Sequence, residues 1–581
     1  MANPLLLLLS QSRYRRRRGR LPVPVPYETP TSDAIFVMLR RLRKPLVVLV
    51  MILVGASVGL SQIPGTDGSR LTLFESFYFM TYTAATIGYG EIVQLSTAQR
   101  MWTTLAIYVT VLGWAYAIGT ALTLLQDPTV RDAFATHRFA RHVRGLREEF
   151  IIVVGYGKTG RQVVLGLDAH GRRVVVVDED ENAINRLETE SLFADVPGLS
   201  ADGGMPGVLG LAGLGSPLCA GVLALTNDDD TNLAVVMAAS LLRDEVPVIA
   251  RAHHRVTAER MRAFDTGAVI EPSDKFGSYL MLAMQRPATY ELVTTLMADE
   301  RPTTTLVPHI PTDGRWVVAG EGPFTDEVCR DLRAAGLEVD VVDPRRDHPD
   351  VSGAVGFIAG SDTDTVNVAL AEQARDDNPD LFVAVRQHSY AYRALLEAMQ
   401  VDAVYCASDL MANEVLGRMV TPLLWEFVEY AIQQDEAWAS GLNRRLRACW
   451  GDQAPMRRAF TLDRSGAPAA VRWMQHSPLT VGDLGKHPED RDSPLGAVVL
   501  MIIRSNERIF APEDEVALKR NDRLLVAGTR RALDEQCQIL DYDSVVEYVS
   551  TGRSVPDGWL WRRLTRSRGR SDAHTESLRR R

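Results

Sequence analysis

Thr86-Ile87-Gly88-Tyr89-Gly90 takes its meaning from what stands on either side of it. Pro45–Leu60 (PLVVLVMILVGASVGL) and Met101–Leu125 (MWTTLAIYVTVLGWAYAIGTALTLL) carry no charged residue. Each is long enough to cross a bilayer as a helix, the first with help from Ser61–Ile63. Between them, Leu71–Tyr82 (LTLFESFYFMTY) is aromatic-rich and too short to span, and it reads as a re-entrant helix leading into the pentapeptide. Irregular backbone at membrane depth persists only where protein or a water-filled cavity surrounds it. Gly88 and Gly90 take left-handed dihedrals cheaply, so consecutive carbonyls can face one axis. Four such strands would offer K⁺ the carbonyls of Thr86, Ile87, Gly88 and Tyr89 and the Thr86 hydroxyl in place of its water shell. One strand cannot encircle an ion, so a homotetramer is expected. A tight glycine turn in a soluble loop is the alternative for the pentapeptide alone, and the flanking spans weigh against it.

Basic residues set the orientation. Arg13, Arg15–Arg18, Arg20, Arg40, Arg41, Arg43 and Lys44 precede the first span, and Arg131, Arg138, Arg141, Arg144 and Arg147 follow the second. Arg70 is the only base between Gln62 and Leu71. A multi-pass protein of the cell membrane with both termini cytoplasmic is expected. Leu5–Leu9 is apolar, but its charges follow instead of preceding it, the reverse of a secretory leader. The Arg13–Arg20 cluster fits a disordered tail or a contact with anionic lipid of the bilayer. Gly113 and Gly119, in the second span, are either gating hinges or points of close helix packing.

At 581 residues the chain exceeds one domain. Its net charge of −9 gives no basic field for nucleic acid. The five cysteines are scattered, as in reduced cytosolic proteins, and the eleven histidines form no ligand motif. Phe150–Val154 is all apolar, reads as a buried strand, and runs into Gly155-Tyr156-Gly157-Lys158-Thr159-Gly160. A helix over Arg161–Ala169 and a second strand, Arg173–Val177, lead to Asp178, 23 positions after Gly155. This is the dinucleotide fingerprint in its required context. The first glycine makes the turn, the second admits phosphate, the third lets helix pack on strand, and the acid accepts from ribose hydroxyls. Asp178 disfavours a 2′-phosphate, so NAD, NADH, ADP or AMP is expected as ligand before NADP. A degenerate lobe that binds nothing remains the alternative.

The pattern repeats. Gly320-Glu321-Gly322-Pro323-Phe324-Thr325 and Asp343 stand 165 residues beyond Gly155 and Asp178. Asn232, Arg251, Ala268 and Ser273 recur 135 residues on as Asn367, Arg386, Ala403 and Ser408. The second copy has therefore lost about 30 residues between the counterparts of Asp178 and Thr226, including that of Ser200-Ala201-Asp202-Gly203.

Filter, fingerprint and repeat together resemble the prokaryotic two-transmembrane potassium channels with tandem RCK (KTN, TrkA-type) domains, over approximately residues 40–530. The resemblance implies an α-helical membrane pore domain, two spans plus a pore helix, fused to two α/β Rossmann-like RCK domains and a small C-terminal α+β TrkA-C lobe. It implies a basic disordered N-terminus at 1–35, the pore domain at 36–130, a linker at 131–149 and a first RCK lobe at 150–272. Crossover helices and a linker at 273–314 lead to an abbreviated second lobe at 315–410. A helical connection at 411–475, the TrkA-C lobe at 476–545 and a basic disordered tail at 546–581 complete it. Leu225–Asn232, with Thr226 and Asn227, resembles the acidic loop after the fourth strand, and Arg251 the arginine that approaches phosphate. With the fingerprint, Asp178 and Asp202, these make up the expected first site. Gly320, Gly322, Asp343 and Arg386 are their weaker counterparts, since Thr325 replaces the third glycine and Pro323 removes an amide donor. The family's calcium-gated members place glutamates where this chain has Arg251 and His253, so that Ca²⁺ site is not expected, while Ca²⁺ elsewhere stays open. Glu91 stands where the family's filters end in Asp. A non-enzymatic, ligand-gated potassium channel is thus expected. A membrane-anchored NAD-dependent oxidoreductase and a regulatory subunit of a separate transporter are the alternatives.

Overall fold

The computed structural model describes residues 24–26, 32–89, 94–126, 128–264, 267–297, 310–346, 348–451, 455–505 and 507–554. Gly90, Glu91, the Arg13–Arg20 cluster and the residues beyond 554 lie outside these. The chain forms two compact units. One takes the residues up to Tyr156 with Arg172–Ala224 and Asp230–Val248, and the other takes Gly157–Gly171, Leu225–Asp229 and the chain from Ile249.

In the first unit, helices Ser32–Gln62 and Thr97–Leu125 contain Leu42–Gln62 and Thr97–Thr123, each long and apolar enough to cross a membrane. Leu46, Met51, Met101, Leu105 and Leu112 are exposed on them, a surface suited to lipid or to other copies. The two helices meet through small residues, as helices in lipid do. The Trp102 indole N–H donates to the Ala56 carbonyl at 2.9 Å, and a Cβ at Gly59 would overlap the Trp102 ring. A Cβ at Gly113 would stand 2.9 Å from Ile52 Cδ1, which favours packing over a hinge there, whereas Gly119 has nothing within 4 Å. Gly59→Val is therefore expected to lower stability by about 1–3 kcal/mol, and Gly55→Val, where a Cβ meets nothing within 4 Å, is expected to change little. Melting of the detergent-solubilised protein checks this, and equal midpoints for the two variants would refute it.

The short helix Leu73–Ala84 starts with a capping box. Thr72 accepts from the Glu75 amide while the Glu75 carboxylate accepts from the Thr72 amide. Ser96 Oγ donates to the Pro64 carbonyl and Gln99 Nε2 to that of Ile63, both at 2.9 Å, tying the ends of the two long helices together. A further helix, Pro128–Gly145, follows the second span and packs on the short strand Gly198–Ser200 and on helix Pro206–Leu211.

The first Rossmann-like sheet comprises β1 (Phe150–Val154), β2 (Arg173–Asp178), β3 (Gly198–Ser200), β4 (Cys219–Ala224), β5 (Val248–Arg251) and β6 (Ala268–Ile270), in the order β3-β2-β1-β4-β5-β6. β1 is buried along its whole length, as an all-apolar strand in the middle of a parallel sheet must be. The second sheet has five strands: β7 (Arg315–Ala319), β8 (Glu338–Val342), β9 (Ala354–Ala359), β10 (Phe382–Gln387) and β11 (Ala403–Cys406). Their order is β11-β10-β9-β7-β8, and among the described residues no counterpart of β3 extends the sheet.

Within the second unit the helices are exchanged. The fingerprint helix Lys158–Ala169 packs on Ala407–Val420, the helix after β11. The second copy's equivalent, Pro323–Ala334, packs on Pro272–Gln285, the helix after β6. Glycines permit both approaches. A Cβ at Gly166 would lie 2.5 Å from Leu416 Cδ1, and one at Gly277 would overlap the Asp331 carboxylate. Gln162 Nε2 donates to Asp409 at 2.8 Å across the first contact. Around the same helices Glu414 accepts from Lys275 at 3.2 Å and from Arg418 at 2.9 Å.

Burial, with Asp274 and Glu327 nearby, pushes the Asp331 carboxyl up to about 6. The folded protein then holds a proton that the unfolded chain, at 3.8, has already lost, so this group's contribution to stability falls as pH rises from 3.8 to about 6. Asp331→Asn is expected to remove that slope and raise the melting temperature at pH 7. Melts at pH 4.5 and 7.5 would refute it if wild type and variant ran parallel.

The last lobe is an antiparallel sheet of β12 (Met456–Thr461), β13 (Ala497–Arg504), β14 (Glu507–Phe510) and β15 (Arg523–Gly528), in the order β12-β15-β13-β14. Three expected boundaries need correction. β12 lies inside the stretch assigned to a helical connection, because it completes this sheet by pairing with β15. Helix Asp543–Thr551 continues past 546 and buries Val546 and Val549, so the tail cannot begin there. The first span's helix starts at Ser32, and Pro24–Pro26 are placed as well, so 1–35 is not disordered throughout.

Candidate ion-conducting and nucleotide-binding sites

Helix Leu73–Ala84 ends where the pentapeptide starts. The Thr86 amide donates to the Thr83 carbonyl at 3.1 Å and the Ile87 amide to that of Tyr82 at 3.0 Å, which turns the chain sharply. Gly88 has φ +72°, the left-handed conformation expected of it. Thr86 has φ +57°, which its sequence does not signal and which costs a β-branched residue about 1–3 kcal/mol. Support comes from the aromatic residues of the short helix. The Tyr82 ring meets Tyr89 edge-on at 5.6 Å and Phe79 at 5.3 Å. Ile87 and Tyr89 remain exposed in the single chain, leaving the flanks of the segment open to neighbouring copies.

The fingerprint follows β1. In the first unit, Gly155 takes φ +100° and its amide donates to the Val177 carbonyl at 2.8 Å, making the turn. The Tyr156 amide donates to one Asp178 carboxylate oxygen, and the other accepts from the Asp180 amide at 2.8 Å. The acid at the end of β2 is thus held at the fingerprint loop. Asp202 accepts from the Gly204 amide at 2.8 Å and organises the turn after β3.

In the second unit, Gly157 is the N-cap of helix Lys158–Ala169, and no side chain caps that helix. A Cβ on Gly157 would meet nothing within 4 Å. The Lys158, Thr159 and Gly160 amides lie in the first turn, where no intrahelical acceptor exists. An uncapped helix start beside open space fits a phosphate. The Lys158 ammonium donates instead to the His388 carbonyl at 2.7 Å, so this residue offers its amide and not its charge. Thr226 Oγ1 accepts from the Asp228 amide at 3.2 Å. Asn227 accepts from Arg251 at 2.9 Å, and burial depresses the pKa of that guanidinium.

The second copy keeps the frame but changes the cradle: like Gly157, Gly322 leaves open space where a Cβ would stand, yet proline follows it. Gly322 has φ +83°, and Pro323 opens the helix. A Cβ at Gly320 would stand 2.6 Å from Thr325 Oγ1 and 2.9 Å from the Gly360 carbonyl, so the turn itself is tightly packed. Asp343 pairs with Arg346 at 3.4 Å, and Arg386 is bonded to Asp362 at 2.6 Å with its guanidinium 4.8 Å from the Phe324 ring centre.

One pair of residues escaped the sequence reading. Asp229 accepts from the His253 and His254 amides at 2.8 and 3.0 Å. Asp364 accepts from the His388 and Ser389 amides at 2.6 and 2.7 Å. The signal was present, since both members recur at the 135-residue spacing. Among the described residues, no group of three or more His, Cys, Asp or Glu is arranged to hold a metal ion.

Two family descriptions match the chain, ion channel at residues 47–127 and TrkA-N domain at 151–272. Voltage-gated potassium channel Kch of Escherichia coli (strain K12) is 26% identical over 211 residues, 36% of this chain and 49% of Kch. Potassium channel protein 1 of Methanocaldococcus jannaschii is 21% identical over 256 residues, 44% of this chain and 74% of that protein. The match thus spans about half the length of Kch. Among solved structures, the GsuK channel bound to NAD is matched over 88% of this chain and 99% of that one, with TM-score 0.41 and 16% identity. This chain joins an ion-channel domain to a TrkA-N domain, and it resembles the two-helix potassium channels that carry RCK domains.

Proposed function

We propose that four copies of this chain form a potassium-selective channel in the cell membrane, gated by an adenine nucleotide or NAD(H) bound to the first Rossmann lobe. The observation that carries this is the presence, on one chain, of a left-handed bend at Gly88 after a short helix and an uncapped helix start at Gly157. The short helices would aim their C-terminal dipoles at the axis and favour a cation there. The RCK lobes would form a cytoplasmic gating ring, joined to the second span through Gln126–Arg147. In the first lobe, nucleotide phosphate would meet the amides after Gly157 and the ribose would meet Asp178. The second lobe, with Pro323 removing an amide donor and Thr325 in place of the third glycine, serves mainly as an interface.

A ligand shifts gating only through its differential affinity for open and closed rings. About 1–1.5 kcal/mol at each of four sites approaches the ~5.5 kcal/mol of a full switch. The test is K⁺ flux into liposomes that contain only this chain, with NAD, NADH, ADP or AMP supplied at the cytoplasmic face. Potassium passing in preference to sodium and altered by one of these ligands is the expected result. Flux that responds to nucleotide equally in wild type, Asp178→Ala and Arg251→Ala would overturn the site, and equal passage of sodium would overturn the pore. Flux from this chain alone also separates a channel from a regulatory subunit.

A further inference from the structure

We propose that the first Rossmann lobe has a docking groove for the chain segment ahead of the first span, and that Pro24-Val25-Pro26 seated in it forms a second tether between lobe and spans. The groove lies on helix Pro206–Leu211 and the glycine-rich turn that follows it. Gly210 approaches the Pro26 carbonyl so closely that a Cβ would overlap its oxygen, and that Cβ would also stand 3.4 Å from Val25 Cγ1. At Gly215 a Cβ would stand 3.5 Å from Val25 Cβ and 3.6 Å from Cγ2. Val25 is half-buried between these glycines while Pro24 and Pro26 remain exposed. Alternating prolines suit such a seat. They have no amide to leave unsatisfied, and their stiffness lowers the entropy lost on docking.

The same turn receives the chain on the far side of the spans. Gly213, at φ +93°, leaves room for Phe150 and for Val143, whose atoms would lie 2.7 and 3.0 Å from a Cβ there. Val143 belongs to helix Pro128–Gly145, which leaves the second span and also pairs Arg138 with Glu188 at 3.2 Å. Both flanks of the membrane segment therefore converge between Asp178 and Thr226. That stretch is the one the second lobe, which carries no spans, has lost. The additional residues of the first lobe are a platform for the spans. Motion of the lobe then reaches the first span directly as well as the second. The docking stands on contacts alone, and its part in gating rests on the channel proposed above.

Full-length protein with Val25→Cys and Gly215→Cys tests the seat, because a Cβ separation near 3.5 Å suits a disulfide. Copper phenanthroline serves as the oxidant: it takes one electron from each thiol, the two protons pass to water, and the sulfurs join. Mass spectrometry of the digest is expected to find the two peptides joined in the double variant, and far less of the joined pair once Gly210→Ala is added. In liposomes the oxidised protein is expected to change its nucleotide response about fivefold or more relative to the same protein reduced with dithiothreitol. The absence of the joined peptides, or an equal yield with Gly210→Ala, overturns the docking. Joined peptides with an unchanged response overturn the tether. Wild-type protein that passes no potassium under any nucleotide overturns the channel instead, and the linked peptides still judge the seat.

Discussion

Gly157→Asp is expected to abolish nucleotide binding without lowering the stability of the lobe. Gly157 caps the fingerprint helix with φ −73°, a conformation open to any residue, and its Cβ would enter free space. Aspartate is a better N-cap than glycine by a few tenths of a kcal/mol, because its carboxylate accepts from the first-turn amides. Those are the amides a phosphate needs. A carboxylate ~4 Å from a phosphate at a partly solvated site also repels it by about 4 kcal/mol. A loss of affinity well beyond hundredfold should appear in calorimetric titration with NAD or ADP, beside an equal or higher melting temperature. Undiminished binding would place the anion elsewhere, and a collapsed melt would show that Gly157 serves the fold.

Gly88→Ala is expected to remove potassium flux. At φ +72° an L-residue pays about 1–2 kcal/mol, and in a four-stranded pore every copy pays it at once. The segment already holds Thr86 at φ +57° and has little tolerance for more. Relaxation at position 88 would rotate the carbonyls away from the axis. Flux should fall at least tenfold or lose its preference for potassium, while nucleotide binding to the solubilised protein stays unchanged. Gly119→Ala is the companion, because its Cβ meets nothing within 4 Å. It should conduct like wild type unless the helix bends there during gating. Normal selectivity in Gly88→Ala would show that the pentapeptide is not the filter.

What the sequence disclosed and what it hid divide along physical lines. β1 could be read to the residue, since five apolar residues ending at a glycine turn have few alternatives. The shortened second sheet was legible as a change in repeat spacing from 165 to 135. β12 was not, because Met456–Thr461 (MRRAFT) alternates poorly and stands among helices; only its partner β15 makes it a strand. The left-handed Thr86 has no residue-type signature. The Lys158 contact with His388 and the seat of Val25 depend on groups far apart along the chain, and local pattern cannot report such pairings. Gly166, Gly210 and Gly277 were present as letters, but nothing in their neighbours told what each one admits.

The exchanged helices carry a consequence for inheritance. Because each half of the tandem packs a helix against the other, cutting between them would bare the faces at Gly166 and Gly277, and the two halves are expected to fold together. Within that bond the halves are free to diverge, since mutations that blunt one cradle leave the shared scaffold whole as long as Gly166 and Gly277 persist. A repeat whose two halves hold each other up in this way can carry unlike loops at its two fingerprints.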